Sequence, residues 1–560
     1  MSNRISLLMA AAVCLAACRR EAAPPVDGFA ELTSDFVYSI LGSSPVLATS
    51  VGYHKHGDLA LDEMLDDMSA AGLDRQRAML RGLQGRLRAF KAESLGPQER
   101  ADYSIIDDQI GLILLELDTI QNYKHNPAAY VEMIGSALFT PLVLEYAPKP
   151  VRIGHIIKRL EQVPAVMAAA RQNLVDAPEV WNRVAREENE GNIGLIEKTI
   201  REGTPAELRD AYEKAAAPAV KSLRELNHWL ENDLSRRTSD WRLGKDKYAP
   251  KLRFALGADL SPDQLLAEAE ASLERVRSEM AELAGGDVPA TLRRIAARHA
   301  TADTYFSDAR RDLEEARRFV VEKKLLALPP RDNLKVIETP EFMRGIYGVG
   351  GFNSAPPLQP QLGAFYWLTP IPASWPKERV ESKLREYNYY GLKLLTIHEA
   401  MPGHYVQLEY ANGLTPTPRR LLRSVFGNGP YIEGWAVYAT EMMLDEGYLD
   451  KSPELRLTFL KQQLRMIANA ILDVRMQTMN MTDEEAMSLM LERTYQEKEE
   501  ATAKLQRAKL SSTQLPTYYV GYREWKRVRE QYKKIPLAEF HERALKESAV
   551  PMRVLGDLLR

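Results

Sequence analysis

The stretch Pro453–Met479, PELRLTFLKQQLRMIANAILDVRMQTM, decides the fold class. Apolar residues at Leu460, Leu464, Ile467, Ile471 and Val474 recur every three or four positions, the spacing of one face of an α-helix. The same period runs through Gln98–Asn122, Pro150–Leu174, Thr204–Leu234, Pro262–Leu283 and Asp303–Leu326. It returns in Glu378–Glu399, Glu433–Leu444, Thr482–Lys498 and Gly521–Lys534. Helix starts carry capping residues, as in Ser261-Pro262-Asp263 and Thr482-Asp483-Glu484. Only Leu334–Thr339 (LKVIET) and Ala364–Thr369 (AFYWLT) read as strands, and the second could add an extended peptide along its edge. The glycine tract 345–351 between them reads as a loop, because it does not stand between a strand and a helix as a phosphate-binding turn would. The expected fold is mainly all-α: a large two-lobed helical body with a cleft and a small β-sheet near residues 334–369. Residues 29–560 read as one domain, with possible lobes 29–250 and 251–560.

The sequence ahead of this body reads as an address. Arg4, then the apolar run Ile5–Ala17, then Leu15-Ala16-Ala17-Cys18, match a bacterial lipoprotein signal. Residues 1–17 would be removed and Cys18 would carry lipid. Residues 18–28, with Ala22-Ala23-Pro24-Pro25, would tether the body to the membrane. That arrangement puts the body on the periplasmic side of the cell envelope. Arg19 stands where an aspartate marks inner-membrane retention in many lipoproteins, which favours the outer membrane. Cys14 and Cys18 are the only cysteines, so no disulfide framework or cysteine zinc module is available. Lys and Arg total 74 against 77 Asp and Glu, a balance that offers no electrostatic footprint for nucleic acid.

No GxSxG elbow or GxxxxGK[ST] phosphate loop is present. One constellation carries chemistry: GLKLLTIHEAMPGHYVQ, residues 391–407. Leu392, Leu394, Leu395 and Ile397 mark a buried helix, and His398 and Glu399 follow directly. A buried imidazole and carboxylate need partners, which a metal and its water would supply. A His-Glu pair alone carries no weight, since His541-Glu542 is a second one. The signal comes from His404, six residues past His398, with Pro402-Gly403 between. An unbroken helix would place those histidines about 120° apart, too divergent for one ion. Pro402 cannot donate to the His398 carbonyl, and Gly403 accepts unusual backbone angles. The helix should therefore distort and return His404 to the side of His398. A third ligand is expected from Glu433, in YIEGWAVY (431–438), with Glu409 and Glu441 as rivals.

HEAMPGHYVQ followed by EGWAVYATEM resembles the bacterial domain-of-unknown-function family 885, which is grouped with the gluzincin-type zinc metallopeptidases. Ala48–Tyr53, running on to Asp67, and Tyr518-Tyr519-Val520-Gly521 resemble the family's opening and its C-terminal Tyr-x-x-Gly signature. The resemblance implies an all-α body with a cleft and peptidase activity by kinship, without naming a substrate. It implies His398, His404 and Glu433 as ligands of Zn2+ and Glu399 as the base. Gln477 departs from the pattern, standing where members carry the histidine of an Asp-x-x-x-His.

The function expected is that of a lipid-anchored zinc metallopeptidase, with a peptide as substrate partner and the membrane reached through the N-terminal lipid. Glu399 would move the proton, and Tyr518 would donate to the oxyanion, with Tyr519 and Tyr522 as alternatives. The competing readings are a metal-dependent amidase on a non-peptide or cell-wall substrate, and a noncatalytic peptide-binding lipoprotein. His54 and His56 flank Lys55 in a loop and read as solvated or substrate-lining. His125, His155, His228 and His299 read as surface or internally satisfied residues.

Overall fold

A computed structural model describes residues 27–339 and 349–560. The signal segment, Cys18 and most of the glycine tract therefore lie outside the described residues. The described chain is mainly helical, as expected. None of its helices is long and apolar enough to cross a membrane.

Three apolar cores hold the helices together. One joins the helices between residues 29 and 117 to Leu421, Leu422 and Phe426. A second gathers residues 46–234 around Ile134, Leu160 and Leu226. The third runs from Tyr248 to Leu559, with Ala101 added, and includes Leu394, Ile397, Trp435 and Trp525. The helix that decided the fold class spans Pro453–Thr478, capped by Ser452, and is buried along most of its length.

Two expected long helices are each divided. Lys149–Leu160 and Val163–Asn173 replace the stretch 150–174, because Pro164 cannot donate to the preceding turn and opens the second helix instead. Lys377–Glu386 and Tyr389–Glu399 replace 378–399, because the Asn388 side chain accepts from the amides of Tyr390 and Gly391 and starts a new helix.

A short hairpin, β1 (Lys55–His56) and β2 (Leu59–Ala60), lies in the N-terminal half. The main sheet contains β3 (Leu334–Glu338), β4 (Gly350–Asn353) and β5 (Ala364–Leu368), in the order β3-β5-β4. β5 pairs parallel with β3 and antiparallel with β4. This corrects the expectation that 364–369 offers an edge to a peptide: β5 is the central strand, and its neighbours already occupy both edges. Tyr366 of β5 reaches Thr396 of the histidine-bearing helix at 3.3 Å. Phe352 of β4 lies against the rings of His404 and Tyr405. The sheet is thereby fixed against the segment that carries the histidines.

Candidate metal centre

The Tyr389–Glu399 helix is anchored before it reaches the site. Lys393, almost fully buried, donates to Asp312 at 2.6 Å and to Glu315 at 2.7 Å. After Glu399 the helix breaks outright. The amides of Ala400 and Met401 both donate to Thr396 O, and the Gly403 amide donates to Ile397 O at 2.9 Å. A new helix, His404–Ala411, then begins. Gly403 is required by close approach, because a Cβ there would overlap the carbonyl oxygens of His398 and Ile397. The expected distortion is thus a full break, and it brings the two imidazoles to a centroid separation of 4.8 Å.

The third member comes from the helix Gly429–Asp445, started by the Asn428 side chain. Its Trp435 donates from Nε1 to Pro402 O at 2.9 Å, so the turn between the histidines is tied two residues from Glu433. Glu433 Oε2 lies 3.5 Å from His398 Nε2 and 3.4 Å from His404 Nε2. Among the described residues, these three form the one group whose donor atoms all lie within 4.8 Å of one another. Two imidazoles and a carboxylate leave room for a fourth, exchangeable position on a tetrahedral ion.

The electrostatics match a cation site. Burial disfavours charge on His404, but the hydrogen bond and charge of Glu433, with Glu399 and Gln407 adding, push its pKa up to about 9. Burial works against the Glu433 carboxylate too, yet the two histidines hold its pKa far below the usual range. Glu433 Oε2 is fully occluded without a hydrogen bond of good geometry, and so is His404 Nδ1. A cation bound by all three residues would satisfy the carboxylate oxygen and take the place of a proton there. The residues present therefore fit a zinc ion.

Glu399 stands half-buried beside His398, without a hydrogen bond or ion pair to a described residue. Its charge is felt by His404 and by Tyr366. Tyr518 belongs to the helix Thr517–Gln531, which crosses the Glu433 helix backbone to backbone at Gly434 and Gly521. A Cβ on Gly434 would fall within the backbone of Gly521, and one on Gly521 would strike Pro430 O. That crossing sets Tyr518 within the field of Glu433. Burial, then the Glu433 charge, raises the pKa of the phenol.

The alternatives are engaged elsewhere. Tyr519 OH meets Ser272 at 2.9 Å, and Tyr522 OH is bonded to Gln463 and Glu441. Glu409 accepts from Arg331 at 2.7 Å, and Glu441 from Tyr522 and Lys526. Gln477 accepts from the Leu243 amide and donates to Ser511 O, so it binds two loops to its helix. His54 pairs with Asp62, and His56 with Tyr53. His125, His155, His228 and His299 also have protein partners. The Trp435 tie and the glycine crossing were not legible in the sequence, since each joins segments that only the fold brings together.

A family profile described as a bacterial protein of unknown function (DUF885) matches residues 45–559. None of the curated proteins matches. Among solved structures, the chain is similar to a presumptive lipoprotein of unknown function from Shewanella oneidensis: 29% identity, TM-score 0.80, covering 95% of this chain and 99% of that one. It also shares its fold with a presumptive lipoprotein from Colwellia psychrerythraea: 18% identity, TM-score 0.78, covering 96% of this chain and 99% of that one.

Proposed function

The chain belongs to the DUF885 family of bacterial proteins of unknown function, and we propose that it is a zinc metallopeptidase of the cell envelope, held to the membrane by lipid on Cys18. The observation that carries the activity is the convergence of the His398 and His404 Nε2 atoms, within 3.5 Å, on one buried oxygen of Glu433. Glu399 directly after the first histidine, with the third candidate ligand on a later helix, supports this reading by its likeness to the gluzincin arrangement, with a wider histidine spacing. The anchor rests on the Leu15–Cys18 box and on the naming of two structural relatives as lipoproteins.

A bound zinc ion would supply Lewis-acid polarisation of the substrate carbonyl and a lowered pKa for water. The protein's own residues do the rest. His398, His404 and Glu433 hold the ion, and Trp435 fixes the turn that sets the two histidines together. The Glu399 carboxylate takes a proton from the attacking water and returns it to the leaving amine. The Tyr518 phenol, kept protonated by its raised pKa, donates a hydrogen bond to the oxygen that gains charge on the scissile carbonyl.

Metal analysis and a peptide-cleavage assay on the purified chain test the proposal together. About one zinc per chain is expected, with hydrolysis lost on chelation and restored by zinc. A chain that binds no zinc, or a zinc-loaded chain that cleaves no peptide in a broad library, overturns the peptidase reading. For the anchor, Cys18→Ala should move the protein out of the membrane fraction. Unchanged partitioning, with no acyl chain on Cys18 by mass spectrometry, would remove that part.

A further inference from the structure

Lys504 departs from a rule kept by the other deeply buried cations. Lys393 is paired with Asp312 and Glu315, Arg423 with Asp102 and Glu547, and Arg152 and Arg159 are bonded to carbonyl and hydroxyl oxygens. Lys504, on the helix Lys498–Leu510, is 7% exposed and makes no hydrogen bond or ion pair with a described residue. Burying an unpaired ammonium is costly, so such a group either sheds its proton or takes an anionic partner from outside the protein. Burial, then Arg465, lowers its pKa to about 7, against the pull of Glu500 and Glu386.

Its acidic neighbours are already engaged. Glu386 holds Lys461 at 2.7 Å and Arg465 at 3.4 Å, and Glu500 is paired with Arg465. Lys461 and Arg465 thus take up both carboxylates, and Lys504, in the field of both, is left without an ion pair among the described residues. Arg507 lies one turn beyond Lys504, and its guanidinium bonds to Gln514 Oε1 at 2.7 Å and approaches Tyr518 OH at 3.4 Å. Tyr518 in turn lies in the field of the metal-site Glu433. Lys504 and Arg507 therefore stand one turn apart on the same helix, with the Arg507 guanidinium at the Tyr518 hydroxyl.

Resting on the peptidase reading, we infer that Lys504 and Arg507 form a subsite for a carboxylate of the peptide substrate, beside the candidate oxyanion donor Tyr518. Such an anion would give Lys504 the partner the protein withholds, and a guanidinium at Arg507 can take a carboxylate through paired hydrogen bonds. Two parts of a peptide supply this group, the chain terminus and an acidic side chain. Recognition of the terminus would make the enzyme an exopeptidase acting from the C-terminal end.

The test uses four short N-blocked peptides: a C-terminal acid, its amide, and amides ending in Glu or Gln. Each is assayed for KM with the zinc-loaded chain and for Kd by calorimetry with the metal-free chain. A preference for the acid over its amide of roughly tenfold to a hundredfold assigns the terminus, and the same preference for Glu over Gln assigns the side chain. Lys504→Gln and Arg507→Gln should each raise KM and Kd for the preferred peptide towards those of its uncharged counterpart. Lys504→Met should melt no lower than the parent chain, since it removes an unpaired buried charge. Equal binding of all four peptides, or an undiminished preference in Lys504→Gln, overturns the subsite. If the metal-free chain discriminates while no peptide is cleaved, the subsite stands and the peptidase reading falls. Cleavage without discrimination has the opposite meaning.

Discussion

The chain contains the dipeptide His-Glu twice, and the two copies do opposite things. His541 is fully buried and bonded on both sides: Nδ1 donates to Leu325 O at 2.8 Å, and Nε2 faces Tyr438 OH at 3.0 Å. Glu542 accepts from the Ala327 amide and pairs with Lys546. Burial lowers the His541 pKa to about 4, so the ring stays neutral. In the first copy, by contrast, His398 turns towards a second histidine and a glutamate, and Glu399 has no hydrogen-bond or ion-pair partner among the described residues. The pairs even touch through one residue: Trp435 donates to Pro402 O and packs edge-on against His541 at 5.4 Å. Donor chemistry is thus the same in both places. What differs is whether each donor is consumed by the protein or aimed with others at one point.

The largest expected effect separates the two copies by metal content. His398→Ala, His404→Ala and Glu433→Ala should each lose bound zinc, whereas His541→Gln should retain it, as read by elemental analysis. If Glu433→Ala keeps full zinc and Glu409→Ala or Glu441→Ala does not, the third ligand is misassigned. Next come the glutamates. Glu399→Gln should keep zinc and lose activity by about 10²–10⁴-fold, while Glu542→Gln cleaves peptide at the parent rate. Equal losses in the two variants would erase the distinction.

Tyr518→Phe should retain zinc and melting temperature but lower kcat by roughly 10²–10³-fold. A normal kcat would remove the phenol from the reaction, and a lower melting temperature with proportionate activity loss would make it a packing residue. The smallest effect concerns His541 and stability alone. Its folded pKa lies below the unfolded value of about 6.5, so the unfolded chain takes up the proton first. That term is fully present above pH 6.5 and is lost as pH falls towards 4, at a cost of about 3 kcal/mol. Urea midpoints between pH 7 and 4.5 should therefore fall more steeply for the parent than for His541→Gln. Matching slopes would mean the ring is not held neutral.

How much was legible in the sequence follows the reach of each interaction. Pro262–Leu283 is a helix over the residues its periodicity and Ser261 cap indicate. The His398, Glu399 and His404 arrangement was readable because Pro402 and Gly403 lie between the histidines, so cause and effect share one segment. β4 was not readable, because Gly350 and Gly351 carry none of the branched or aromatic side chains that mark strands. The central place of β5 depends on β3 and β4 arriving from either side. Lys504 lies beyond the helix expected to end at Lys498, on a helix Lys498–Leu510 that the periodicity did not mark, and its isolation shows only once Glu386 and Arg465 arrive from other segments.

The contact of Gly434 with Gly521 has a consequence for how this family can change. Two motifs 87 positions apart behave as one unit of heredity, because a side chain added at either glycine pushes the other helix away. No second-site change at the partner glycine can relieve that overlap, since glycine has nothing further to remove. A lineage that lost either glycine would have to move a whole helix, carrying Tyr518 away from Glu433. The spacing of those two residues is therefore held as a fixed dimension by two positions that carry no side chain at all.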